Sequence, residues 1–200
     1  LRPRVERAEP AAIARRRAAH RELRAFDGAL GKALHRLTRT RVDEAILRDV
    51  IGAVRGELAA GSVVLDAIAL EAPAPGPDVE VFRSDLQLVL KNVVRNAILA
   101  VDRAPPPRRV RILVTTELEP TGEEIVLVRV FDTSPELLDL EELRGRGVDR
   151  GLGLVMAALA RYHGALDVEG GDGGYTKAVV LRFFRAFSDE EPRESETPAW

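Results

Sequence analysis

No cysteine occurs in the 200 residues of this chain. That rules out disulfides and thiol chemistry, and it favours a reducing compartment. Long apolar runs are missing too. No stretch approaches the roughly 20 residues needed to cross a bilayer, and no secretory leader is visible. The first residue is Leu1 rather than Met, which is what a fragment would show, and any membrane anchor is then expected outside it. The chain itself is expected in the cytoplasm. Internal repeats are absent. Neither sign of charge dominates: the net charge is −2, which argues against a general nucleic-acid binder.

What is present is a globular composition. Hydrophobic residues make up 46% and charged residues 31%, a balance that excludes a disordered chain, and the length suits one core domain with an appendage. The charge is uneven. Residues 1–41 hold twelve Arg or Lys against four acids, a pattern that reads as a solvated helical face rather than a basic patch for an acidic partner. Within residues 11–40, Leu23, Phe26, Leu30, Ala33 and Leu37 recur at alternating three- and four-residue steps. This is the seam of a coiled-coil-like helix or helix pair, interrupted by Gly28 and Gly31. Three regions follow: a helical, possible dimerisation segment at 1–41, a core domain at 42–187, and an acidic tail at 188–200 whose composition predicts disorder.

Within the core domain the periodicity switches repeatedly. Asp43 to Leu58 predicts an amphipathic helix with Ala45, Ile46, Val50, Val54 and Leu58 facing inward, ended by Gly61. Ser62 to Leu70 reads as a strand. The Ala72–Pro77 run is a loop, because its prolines lack donors, and Val79 to Phe82 is a short strand. A long helix follows to Val101, capped by Ser84 or Asp85 and stopped by Pro105–Pro107. Arg109 to Leu118 and Glu124 to Phe131 alternate as paired strands around the Pro120-Thr121-Gly122 turn. Residues 133–150 are polar loop, Leu152 to Tyr162 is helix, and Leu166 to Glu169 and Lys177 to Phe184 are strands. Helices beside a mixed sheet, without strict strand–helix alternation, predict an α/β two-layer sandwich.

Asn92 and Asn96 carry the most functional information. They stand one helical turn apart in an otherwise apolar helix whose inner face is Leu86, Val89, Leu90, Val93, Ala97, Ala100 and Val101. Asparagine is a mediocre helix former, so two on one face point to a polar ligand or a metal. Further on, Arg129-Val130-Phe131-Asp132 is an apolar strand ending in an acid. Arg150-Gly151-Leu152-Gly153-Leu154 is a glycine pair opening an apolar helix, and Gly173-Gly174-Tyr175-Thr176 precedes the last strand.

This ordered set resembles the ATP-binding domain of sensor histidine kinases, within the Bergerat-type superfamily that also holds gyrase, Hsp90 and MutL. The resemblance covers roughly residues 42–186. It implies that Asn96 ligates a Mg²⁺ bridging the ATP phosphates, a metal that takes few protein oxygens. Asn92 stands where gyrase-like ATPases carry a glutamate base. An amide cannot serve as a base, which implies phosphoryl transfer rather than efficient hydrolysis. Asp132 corresponds to the aspartate that accepts from the adenine amino group, although the family's glycines two and four residues later are here Ser134 and Glu136. Gly151, Leu152, Gly153 and Leu154 correspond to the phosphate-facing helix start. Arg150, more than Arg144 or Arg146, is the lid arginine that neutralises triphosphate charge, and the family's aromatic lid element is missing. Thr176 corresponds to the threonine that supports adenine recognition.

The resemblance further implies Mg-ATP as cofactor and transfer of the γ-phosphate to a histidine and then to a response regulator. It also implies a homodimer through the 1–41 stalk. Of the three histidines, His20 begins His20-Arg21-Glu22, a faint echo of the acceptor motif without its proline. His35 has no adjacent acid, and His163 precedes Gly164 at a helix end. A degenerate, kinase-like scaffold or phosphotransfer adaptor is the alternative reading.

Overall fold

The computed structural model describes residues 38–59, 63, 65–136, 138 and 151–186. The chain divides into two units, Leu1–Leu37 and Thr38–Trp200, and every described residue belongs to the second. The expected stalk seam, His20, His35, Arg144, Arg146, Arg150 and the acidic tail lie outside the described residues.

The described elements run β1 (Arg39–Arg41), α1 (Glu44–Leu58), β2 (Ala67–Glu71), β3 (Asp78–Glu80) and α2 (Arg83–Asp102). They continue as β4 (Arg109–Leu118), β5 (Glu124–Asp132), α3 (Gly151–Ala160), β6 (Ala165–Gly170) and β7 (Lys177–Phe184). Five strands form one sheet in the order β2-β4-β5-β7-β6. Only β2 and β4 are parallel; the other pairings are antiparallel, so the sheet is mixed. β1 and β3 make a separate antiparallel pair.

Alternation decides the two faces of the sheet. Val110, Ile112, Val114, Val126, Val128, Val130, Val179, Leu181 and Phe183 point to one side. There they meet Ile46, Leu47, Val50 and Val54 of α1, the buried stripe of α2, and Leu152, Val155, Ala158 and Leu159 of α3 in a single core. The opposite side carries a smaller apolar cluster of Ile125, Leu127, Phe131, Ala178 and Val180. Arginine side chains lie over this cluster. The Arg111 guanidinium stands over the Phe131 ring, and Arg129 joins Glu117 at 2.8 Å and Glu169 at 3.0 Å. The aliphatic stems cover apolar surface while the charged heads pair in water. The architecture is the expected α/β two-layer arrangement.

Local details depart from the sequence expectations in three places. Arg39 and Thr40, read as the end of a helix, form strand β1. Asp78 on β3 clasps both flanking arginines, at 2.6 Å to Arg39 and 3.1 Å to Arg41, while the buried Thr40 hydroxyl donates to the Val81 carbonyl. Burial pushes the Asp78 carboxyl up, but Arg41 and Arg39 outweigh it and hold the group below its ordinary 3.8. Second, α2 begins at Arg83 with Phe82 as N-cap and no side-chain cap, so neither Ser84 nor Asp85 fills that role. Third, the strand expected from Ser62 begins only at Ala67. By contrast, Asp43 caps α1 by accepting from the Ile46 amide. The proline loop fits closely as well: a Cβ on Gly76 would stand 2.2 Å from the Val42 carbonyl oxygen, so only glycine lets the loop lie there.

Candidate functional site

Helix α2 packs against α1, α3 and the sheet strands β4 and β5, so its polar positions are few and informative. Its buried stripe is Leu86, Val89, Leu90, Val93, Val94, Ala97, Ile98 and Val101. Asp85, Asn92 and Asn96 lie seven and four residues apart and therefore share one edge of that stripe. The Asp85 end of this edge is spoken for. Its carboxylate accepts a short hydrogen bond from the Tyr162 hydroxyl and pairs with Arg161 at 3.5 Å, both just beyond the end of α3. Burial, with Asp85 adding to it, raises the Tyr162 phenol above its ordinary 10.0.

That contact fixes how the two helices run. The end of α3 meets the first turn of α2, and the helices pack on one another, so they are antiparallel. From Asp85 to Asn96 is eleven residues along α2, and from Tyr162 back to Gly151 is also eleven along α3. At about 1.5 Å per residue, each path is roughly 16 Å. By that arithmetic Asn96 falls toward the Gly151 end of α3 rather than the Tyr162 end.

Both asparagines are half-buried. Asn92 Nδ2 donates to the Leu88 carbonyl one turn earlier at 2.8 Å, leaving its own carbonyl oxygen outward. Among the described residues no hydrogen bond is made by the Asn96 amide, and no atom of it is sealed from solvent. At the facing end of α3, Gly151 has φ +61°, a left-handed backbone that favours glycine. An added Cβ there would meet nothing, so the requirement comes from conformation rather than space. Leu152 and Gly153 are buried and Leu154 is half-buried. The amides of this first turn have no acceptor within their own helix, and among the described residues none is paired elsewhere.

Asp132 closes β5 on the same, helix-covered side of the sheet as Val130. It is 2% exposed. Two donors converge on its Oδ1: the Ser134 amide at 2.9 Å and the Lys177 ammonium at 2.9 Å. Among the described residues none reaches Oδ2. Lys177 also donates to the Ser134 carbonyl at 3.2 Å and is itself 4% exposed. Burial pushes the Asp132 carboxyl above its ordinary 3.8, against the downward pull of Lys177 and the Ser134 amide. The Ser134 hydroxyl then accepts from the Glu136 amide at 3.2 Å. Two successive side-chain turns thus shape the segment where the resembled family has glycines. No left-handed backbone is needed there: His163 is the one described non-glycine residue with positive φ.

Thr176 is exposed, and its backbone amide donates to the Asp132 carbonyl at 2.9 Å. The residue directly opposite Asp132 in the β5–β7 register is Lys177. A lysine after a threonine at a strand start has the pattern of a surface residue, so its type alone does not single this side chain out. The alternation Lys177, Val179, Leu181, Phe183 was the available signal: the lysine heads the apolar stripe of β7.

Other placements are simpler. His163 is exposed at the far end of α3 from Gly151. Lys91 pairs with Glu57 across the α1–α2 contact. Among the described residues no cluster of three or more His, Asp or Glu side chains could hold a metal by itself, and no helix is long and apolar enough to cross a membrane.

Three comparisons bear on this geometry. No family model matches the sequence, and no curated protein matches it either. Solved structures do match. The chain is similar to the catalytic domain of the histidine kinase ThkA, with a TM-score of 0.56 at 18% identity, over 74% of this chain and 96% of that domain. It is also similar to the mycobacterial sensor histidine kinase MprB, with a TM-score of 0.54 at 17% identity, over 74% and 96%. ThkA in complex with the response regulator TrrA matches over 92% of this chain and 53% of that one, with a TM-score of 0.57 at 16% identity. The fold is that of histidine-kinase catalytic, ATP-binding domains.

Proposed function

We propose that this chain is the Mg-ATP-binding catalytic region of a two-component histidine kinase, which passes the γ-phosphoryl group to a histidine imidazole and from there to a response regulator. The observation that supports this reading is the antiparallel pairing of α2 and α3, with an Asn96 amide that makes no hydrogen bond among the described residues on the one helix and the Gly151–Gly153 start of the other toward the same end. A carboxamide oxygen opposite a helix N-terminus is a fit for a metal–phosphate pair: the amide oxygen is a hard neutral ligand and the helix amides favour anionic charge.

Bound Mg-ATP would supply the transferable phosphoryl group and the cation that neutralises its charge. The chain's own residues do the rest by positioning. Asn96 Oδ1 would hold the metal, and the first turn of α3 would receive phosphate oxygens. Gly151, Leu152, Gly153 and Leu154 give that turn its shape, and Arg150, next to it in sequence, would add positive charge. Asn92 has no proton-accepting nitrogen or carboxylate to activate water, so the site favours transfer over hydrolysis. At the base end, Asp132 Oδ2 is an available acceptor, and Thr176 frames the same strand ends. His163 lies a full helix length from the phosphate end and is excluded as acceptor in the same domain. The acceptor is then a histidine upstream, of which His20 is one candidate, or one on another protein, unless it has been lost. A response regulator is the expected partner, as ThkA has in its complex with TrrA, and the 1–41 seam the expected dimer contact.

One specific observation favours the alternative of a kinase-like scaffold with weak nucleotide binding: Asp132 already has a charged partner in Lys177. Calorimetric titration with Mg-ATP, repeated on Asn96→Ala, separates the readings. Heat from the wild type that vanishes in the variant supports the kinase reading. A silent wild type removes it and leaves the scaffold.

A further inference from the structure

We infer that Lys177 sets the base preference of this site, turning a pocket that selects a 6-amino purine into one that tolerates 6-oxo purines as well; the inference rests on the nucleotide-site reading above. A lone aspartate at the end of β5 offers only acceptors. It rewards a donor on the purine edge, such as the adenine amino group, and leaves a C6 carbonyl facing a carboxylate with nothing between them. Lys177 changes that inventory. An ammonium has three N–H donors. Among the described residues two are used, on Asp132 Oδ1 and on the Ser134 carbonyl, so one remains. Asp132 Oδ1 is saturated by Lys177 and the Ser134 amide, while Oδ2 keeps its acceptor capacity. The dyad therefore presents one donor and one acceptor side by side.

Either purine edge can satisfy that pair. Adenine offers its amino donor and the N1 acceptor; hypoxanthine offers the C6 carbonyl acceptor and the N1–H donor. The advantage of adenine shrinks further because the carboxylate is already neutralised by a cation and gains little from an added neutral donor. Position supports the assignment. Lys177 is the direct cross-strand neighbour of Asp132, it lies on the helix-covered face, and both side chains are almost fully buried.

The experiment compares Mg-ADP with Mg-IDP, which differ at the purine C6 substituent, by calorimetric or fluorescence-competition titration of the full chain. Wild type is expected to bind the two within about threefold of one another. Titrated at about pH 8, where the carboxyl left unpaired stays ionised and has no O–H donor of its own, Lys177→Met keeps the aliphatic stem, removes the donor, and is expected to prefer Mg-ADP by about tenfold or more, the scale of one hydrogen bond to a charged group. A wild type that already prefers Mg-ADP by about tenfold overturns the inference whether or not the variant folds. An unchanged ratio in Lys177→Met overturns it too, while leaving the nucleotide-site reading intact. Failure of wild type and variant to bind either nucleotide removes that reading, and this inference with it.

Discussion

Replacing Lys177 by methionine tests the buried pair through stability alone. The ammonium contacts a carboxylate that is 2% exposed. Removing one partner of such a pair costs about 3–5 kcal/mol, because the other charge is left buried and unpaired. The carboxyl has an escape, however: it can take up a proton. At pH 7 that costs about 4 kcal/mol, from 1.36 kcal/mol per unit over the roughly three units above an unfolded value near 3.9. Protonation thus caps the loss at about 4 kcal/mol, which for a chain of this size lowers Tm by roughly 8–16 °C.

The cap makes the penalty pH-dependent, and the sign is fixed. Burial already raises the Asp132 carboxyl, and losing Lys177 removes its main opposing pull. A carboxyl raised in the folded state contributes stability below the unfolded value and loses it as pH rises through the folded one. The deficit of Lys177→Met should therefore shrink on acidification, from about 4 kcal/mol at pH 7 to about 1.5 kcal/mol at pH 5. The double variant Lys177→Met/Asp132→Asn should recover most of the loss and show no such slope, since replacing both members of a buried pair is often neutral. Urea denaturation followed by circular dichroism at the two pH values reads all three proteins. A Lys177→Met protein within about 1 kcal/mol of wild type at pH 7, or a deficit that does not change with pH, would refute the reasoning.

Other expectations follow from the same contacts. Asn96→Ala should weaken Mg-ADP by about tenfold or more while leaving the urea midpoint within error, since the amide makes no hydrogen bond among the described residues; isothermal titration reads the first and denaturation the second. Tyr162→Phe should cost about 1 kcal/mol by loosening α3 from the first turn of α2; because the same contact sets Asn96 toward the Gly151 end of α3, nucleotide affinity should fall with it. Asp78 is held below 3.8, so its stabilisation is present above that value and lost as pH falls through the lowered one. Asp78→Asn should accordingly lower stability at pH 7 by about 1–3 kcal/mol and flatten the acid limb of a denaturation series.

Elements that obey a period were readable in advance. β4 alternates over its first half and β5 is a β-branched apolar run, the two meeting around Gly122, and α2 has apolar residues on more than a third of its circumference, so both are legible in the sequence. β1 did not, because three residues carry no period; they form a strand only when Asp78 from a distant segment clasps Arg39 and Arg41. The cap of α2 departs from its sequence pattern for a related reason. Asp85 has the chemistry of a cap, but its carboxylate is spent on Tyr162, 77 residues later. At the site, Asn92, Asn96 and the Gly151–Gly153 start were legible because they break apolar runs. Lys177 was not, since only the cross-strand register opposite Asp132 turns an ordinary lysine into a buried partner.

A metal–nucleotide complex held between α2 and the start of α3 is the central proposal. Substituting Mn²⁺ for Mg²⁺ in the nucleotide complex and recording the amide spectrum of the isotope-labelled chain locates the metal directly, because the paramagnetic ion broadens nearby resonances. The account predicts nucleotide-dependent loss of the Asn96 side-chain amide and of the Gly151–Gly153 backbone amides. Broadening confined to surface carboxylates such as Glu44 and Glu123, unchanged by nucleotide, would contradict it.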